Sequence, residues 1–192
     1  VIKNLSKNFK KKNINILDIG TGSGCIIITI FLELFSQFSI QASGFDISEK
    51  ALSVAKKNSS KFSLKKKIHL FQSNWFDKLN GEYDLVVSNP PYIRKEELKT
   101  LNKEVLFDPI ISLEGGKTGL LSYIKIARNI SKYLKKEGFL VLEIGKGQLD
   151  PVDKIFFHSG FKRILKEKDL QGIDRIVVYK YNLQKNKYNN SF

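Results

Sequence analysis

NINILDIGTGSG, residues 13–24, is a β-branched run that breaks straight into glycines at alternate positions, Gly20, Gly22 and Gly24. Residues 13–20 therefore predict a short strand that ends in a tight turn. Glycines at such a place permit positive φ and a close approach of backbone to ligand, just ahead of a helix N-terminus. The spacing G-x-G-x-G is one residue tighter than the dinucleotide fingerprint. Asp18, directly before the glycines, would set a carboxylate near that ligand, which is awkward beside a pyrophosphate but suits a cation. The competing reading is a glycine turn that binds nothing.

The elements that follow fit one pattern. Residues 25–38 are rich in isoleucine, yet a length of about fourteen residues after a glycine turn favours a buried helix. IQASGFDI (40–47) predicts a second strand, and Ser48 is placed to cap a helix that starts at Glu49 and carries Ala51, Leu52 and Ala55 on one face. KIHLFQS (67–73) and YDLVVS (83–88) read as a third and fourth strand. An irregular stretch over 93–117 comes next, and a loop that long in a compact domain is usually functional. Leu120, Ile124, Ala127, Ile130 and Leu134 mark an amphipathic helix, GFLVLEIG (138–145) a fifth strand, and 150–160 a short helix. FKRILKEKDL and DRIVVYKY form a closing antiparallel pair. Strands that alternate with helices imply an α/β fold, doubly wound on a mostly parallel sheet. Ligands of such sheets bind at the carboxyl ends of the strands.

The chemistry-bearing residues lie at those ends. Asp46 closes the second strand, where an acid either accepts from ribose hydroxyls or serves as a helix-entry residue. A glycine loop plus this acid suggests an adenosine ligand without phosphates, and S-adenosylmethionine fits. In SNWF (73–76), Asn74 can accept from an adenine amino group while Trp75 or Phe76 packs on the base; alternatively the aromatic pair seals the core. The fourth strand ends in NPPY (89–92). As a bare tetrapeptide this is a turn. Behind the fourth strand of this pattern, the Asn89 side-chain oxygen and the Pro90 carbonyl can hold both N–H bonds of an amide or exocyclic amine. Its delocalised lone pair is then steered toward the methyl donor. Pro90 and Pro91 fix φ, so the acceptors are preset, and Tyr92 can stack on the flat acceptor group.

Other signals exclude function classes. Net charge is +14, but four of the 33 basic side chains are arginine, which leaves 29 scattered lysines. Phosphate and base readers lean on arginine forks, so the balance looks more like an AT-rich coding bias than a binding face. It still gives weak electrostatic attraction to a ribosome or RNA. His69 and His158 have no ligand-like spacing, so no metal is expected. The lone Cys25 has no partner for an internal disulfide and fits a reducing compartment. No apolar segment approaches the roughly 20 residues that span a bilayer. The expectation is a cytoplasmic monomer. The absence of methionine suggests a piece of a longer chain.

With these residues in view, the chain resembles the catalytic domain of the HemK/PrmC protein-glutamine N5-methyltransferases. The resemblance runs through ILDIGTGSG, QSNWF, VSNPPYI, FDPIISLEGGKTGL, GFLVLEIG and KDLQGIDRIVV. The glycine and NPPY motifs are shared by many amino-methyltransferases; the EGG and KDL segments are more particular to this family. The resemblance implies a seven-stranded, Rossmann-like class I S-adenosylmethionine-dependent methyltransferase acting on the GGQ glutamine of peptide-chain release factors. It implies cofactor contacts at Gly20, Thr21, Gly22, Asp46, Trp75 and Asn89, joined by Asp18, Gly24 and Asn74 from the readings above. It implies that Asn89, Pro90 and Tyr92 hold the glutamine amide, with Pro91 stiffening the clamp. The family usually has aspartate where this chain has Asn74, so cofactor binding should be weaker at most. Residues 1–181 would be the catalytic domain and 182–192 a polar tail, with an N-terminal substrate-docking domain and an R-P-E-T-E segment missing upstream. The alternatives are another protein glutamine, as on a ribosomal protein, or an exocyclic amine of a DNA or RNA base. A base methyltransferase would normally add a target-recognition region, which nothing here is long enough to supply. A non-catalytic cofactor-binding subunit is a third reading, but it would have no need of preset amide acceptors.

Overall fold

The computed structural model describes residues 1–100 and 112–181. The polar tail and FDPII (107–111) lie outside the described residues. Seven strands form one sheet: β1 (Asn13–Ile19), β2 (Ser39–Asp46), β3 (Ile68–Gln72), β4 (Tyr83–Ser88), β5 (Leu134–Glu143), β6 (Phe161–Lys168) and β7 (Asp174–Tyr181). Their order is β3-β2-β1-β4-β5-β7-β6. β1 pairs in parallel with β2 and β4, β2 pairs in parallel with β3, and β6 and β7 are antiparallel. The helices are α1 (Ile2–Ser6), α2 (Cys25–Leu34), α3 (Glu49–Lys61), α4 (Leu121–Asn129) and α5 (Leu149–His158).

The chain divides into two compact units. The first holds Val1–Ser88 and Tyr133–Leu140. β1 is its spine: Ile14, Ile16, Leu17 and Ile19 are buried, as a strand with parallel neighbours on both sides requires. α2 buries Ile27, Ile28, Ile30, Phe31 and Leu34, so its isoleucines are helical because burial outweighs their β propensity. Ser48 caps α3 as expected, its hydroxyl accepting from the Ala51 N–H at 3.2 Å. Asp84 accepts from the Asn15 N–H and from Lys135 Nζ, both at 2.7 Å.

The second unit holds Asn89–Lys132 and Val141–Phe192. Its core stacks Phe156 on Tyr179 at 4.6 Å, with Phe161 edge-on to Phe156. The Tyr179 hydroxyl donates to Asp153 at 2.6 Å, and burial together with that carboxylate pushes the phenol well above its ordinary range. Three boundaries differ from expectation by four residues or more, the first being α2, which ends at Leu34 rather than at 38. Leu134, which completes a helical stripe in the sequence, instead begins β5; α4 ends at Asn129 and a 3-10 turn covers Ile130–Lys132. The Tyr83 N–H donates to the Tyr133 carbonyl there, so strand pairing replaces the last helical turn.

Candidate active site

In the first unit, the carboxyl ends of β1, β2 and β3 carry the loop, the acid and the aromatic turn. Gly20, Gly22 and Gly24 all take positive φ (69°, 55° and 79°). A Cβ built at Gly20 or Gly22 would meet nothing within 4 Å, whereas one at Gly24 would lie 3.1 Å from Ala55 Cβ. Gly24 thus lets α2 approach α3, and Gly20 and Gly22 leave open space at the mouth of the loop. The Thr21 N–H donates to the Phe45 carbonyl at 2.8 Å, and its hydroxyl donates to Asp18 Oδ2 at 2.7 Å. Asp46, half-buried at the end of β2, accepts from the Gly22 N–H through Oδ2 and from the Ser48 N–H through Oδ1, each at 2.9 Å. It therefore enters α3 and braces the glycine loop together, and each oxygen keeps a lone pair for a further donor.

Asp18 is fully buried beneath the loop, with Oδ1 lacking a hydrogen-bond partner. Burial pushes its carboxyl up to about 7, against the Thr21 hydroxyl and the Ile27 backbone N–H, which pull it down. The unfolded chain releases this proton first, so the stability the group contributes falls as pH rises from about 4 to about 7 and levels off above that. Asp18→Asn should therefore lose less stability than wild type between about pH 5 and pH 8. The difference is about 2–3 kcal/mol, from about 1.4 kcal/mol per pH unit. Denaturant unfolding across that range checks it; parallel curves for the two proteins contradict the assignment.

After β3, the Ser73 N–H donates to the Asp46 carbonyl, and the Ser73 hydroxyl donates to the Trp75 carbonyl at 3.1 Å and accepts from the Lys78 N–H. These bonds hold Trp75 at φ 53°, a conformation a bulky residue rarely adopts. Asn74 is exposed and Trp75 half-buried. Phe76, half-buried like Trp75, stacks on Tyr133 at 5.7 Å.

In the second unit, Asn89 is exposed, Pro90 buried, and Pro91 and Tyr92 half-buried. The Tyr92 phenol donates to Glu143 Oε1 at 3.3 Å, and burial, then the Glu143 charge, raises its pKa. The next residue is paired on both sides: the Ile93 N–H donates to the Leu113 carbonyl, and the Ile93 carbonyl accepts from the Gly115 N–H. The turn that follows NPPY is thus tied to the LEGG segment.

Residues 10–177 match the model of a family described as a methyltransferase domain. The chain belongs to that family. This methyltransferase domain is 39% identical over 172 residues to a release factor glutamine methyltransferase of Agrobacterium fabrum, covering 89% of this chain and 58% of the relative. It is 39% identical over 178 residues to a bifunctional methyltransferase of Rickettsia prowazekii, covering 92% of this chain and 34% of that protein. The chain therefore spans about a third to three fifths of the length of these curated relatives. Among solved structures, a ribosomal protein L11 methylase from Lactobacillus delbrueckii aligns with a TM-score of 0.66 at 18% identity, over 94% of this chain and 76% of that one. That likeness shows the fold.

The sequence reading missed three residues of the methyltransferase domain's second unit. Gln148 is buried, its amide bonded to Tyr92, Gly119, Gly145 and Tyr123; the Tyr123 hydroxyl also reaches the Glu143 carbonyl at 3.1 Å. Glu143 had a visible signal, as an acid ending an apolar strand. Among the described residues, no group of three or more His, Cys, Asp or Glu is arranged to hold a metal ion, and no helix is long and apolar enough to cross a membrane.

Proposed function

We propose that this domain transfers a methyl group from S-adenosylmethionine to the side-chain nitrogen of a glutamine, that of the GGQ motif of a peptide-chain release factor. The observation that carries the reading is Asn89: an exposed amide directly after a buried strand, followed by a buried proline and a tyrosine anchored to Glu143. The names of relatives 38–40% identical to this chain, release factor glutamine methyltransferases among them, support the same substrate.

The first unit fits the donor on two observations. The space in front of Gly20 and Gly22 is a cradle that a Cβ would fill, and Asp46 is braced with lone pairs to spare. Asp46 would accept from the ribose hydroxyls, Gly20 and Gly22 would give the amino-acid tail room, and Asn74 and Trp75 would meet the adenine. Thr21, Asp18 and Gly24 serve from behind, by shaping the loop. When bound, the donor supplies a methyl group made electrophilic by its sulfonium.

The acceptor's difficulty is its lone pair, which amide resonance delocalises. Asn89 Oδ1 and the Pro90 carbonyl would each accept one of the glutamine's N–H bonds, Tyr92 would lie on the flat amide, and Pro91 would keep the turn from relaxing. This is catalysis by orientation with no covalent intermediate. The reaction belongs in the cytoplasm, with the release factor as protein partner and a monomer as the working form.

The test is to incubate the protein with methyl-labelled S-adenosylmethionine and either a release factor or its GGQ→GGA variant. Label is expected in the first alone. Equal label in both overturns the glutamine assignment, and label confined to nucleic acid replaces it with base methylation.

A further inference from the structure

Gln148 occupies the N-cap position of α5, where Ser, Thr, Asp or Asn would be favoured, and its side chain does not cap the helix. It turns inward instead and is 7% exposed. Its Nε2 donates to the Tyr92 carbonyl at 3.0 Å and to the Gly119 carbonyl at 3.4 Å. Its Oε1 accepts from the Gly145 N–H at 3.1 Å and from the Tyr123 hydroxyl at 3.3 Å. All the hydrogen-bonding capacity of one buried amide is thus spent on tying the NPPY turn and the start of α4 to the entry of α5.

The surrounding glycines are cut to fit it. A Cβ at Gly145 would lie 2.6 Å from Gln148 Oε1 and 3.0 Å from Tyr92 Cδ2. A Cβ at Gly119 would lie 2.6 Å from Gln148 Nε2 and 2.5 Å from the Tyr92 carbonyl oxygen. Gly119 of GGKTGL and Gly145 of EIGKGQ therefore make room for this one side chain against this one turn. Leucine could fill the volume but would strand two carbonyls and an N–H, each costly when buried.

We infer that Gln148 is a positioning residue for the NPPY turn: it fixes the Tyr92 backbone from behind while Glu143 fixes the phenol, so the acceptors of Asn89 and Pro90 are held in one pose. The inference rests on the glutamine-methylation reading for its kinetic arm alone.

Gln148→Glu keeps the shape and removes the donors while ionised. The charged and titratable groups around that carboxyl are the phenols of Tyr92 and Tyr123, the Glu143 carboxylate and the Arg175 guanidinium on β7; burial and the Glu143 charge raise its pKa, and Arg175 works against them. Lowering the pH then restores one donor. At about pH 8 the variant's kcat on release factor should fall at least about thirtyfold, with cofactor Kd within about threefold of wild type. The variant-to-wild-type kcat ratio should rise at least about fivefold by about pH 6. Hydrogen exchange in residues 89–95 should accelerate, with residues 13–46 unchanged. In Gln148→Leu the same exchange pattern should appear at every pH. Wild-type kcat in Gln148→Glu at pH 8, or a ratio that does not change with pH, overturns the role. So does faster exchange spread evenly over both units, which would mark a merely structural residue. If wild type itself does not methylate release factor, the substrate reading fails, and the exchange arm still decides: unchanged protection at 89–95 overturns the inference.

Discussion

Asn89→Ala is expected to lower turnover at least about a hundredfold while leaving cofactor affinity within about tenfold. A glutamine nitrogen is a poor nucleophile because its lone pair is shared with the carbonyl, and orientation by two acceptors is the main help this turn can give. Asn89 supplies one of those acceptors, and its side chain is exposed at the end of β4 while Pro90 behind it is buried. Truncation therefore removes the contact and leaves the fold intact. A loss confined to kcat marks an interaction made in the transition state, whereas a rise in KM alone would mark uniform binding. Single-turnover rates at saturating donor measure this directly; unchanged turnover contradicts the role.

Asp46→Ala should raise the Kd for S-adenosylmethionine about a hundredfold. Hydrogen bonds to a charged acceptor contribute about 1.5–3 kcal/mol each, and two ribose hydroxyls would be left without theirs. Asp46 also braces the Gly22 and Ser48 N–H groups, so part of the loss could come from the loop rather than the ribose. A 2′-deoxy analogue separates the two. It should bind more weakly than the natural donor to wild type and no more weakly to the variant, because the partner of the missing hydroxyl is already gone. Titration calorimetry with both ligands reads the cycle. A penalty of equal size in both proteins would assign Asp46 to bracing alone.

The readings that succeeded from sequence depend on neighbours along the chain. β1, β4, the glycine loop and the Ser48 cap are local patterns, and their boundaries fall within a residue of expectation. Those that differed depend on distant partners. Leu134 sits at helical spacing from Ile130, yet β5 claims it because the neighbouring Tyr133 carbonyl pairs with Tyr83. Trp75 and Phe76 are adjacent, chemically alike and both half-buried, and the stack of Phe76 on the distant Tyr133 has no local signal. Gln148 was illegible for the same reason: three of its four side-chain partners lie 56, 29 and 25 residues away, and glutamine before a helix carries no local signal of burial. Asp18 was legible in position but not in state. That it lies under the loop at a raised pKa follows from burial that no motif displays.

The methyl group is expected on a glutamine side-chain nitrogen held by the NPPY turn. Mass spectrometry of release factor after reaction with this protein and S-adenosylmethionine places the modification at single-residue level. A single methyl on the side-chain nitrogen of the GGQ glutamine, lost with Asn89→Ala, is the predicted result. A methyl on any other residue, or one that persists undiminished in the Asn89 variant, contradicts it.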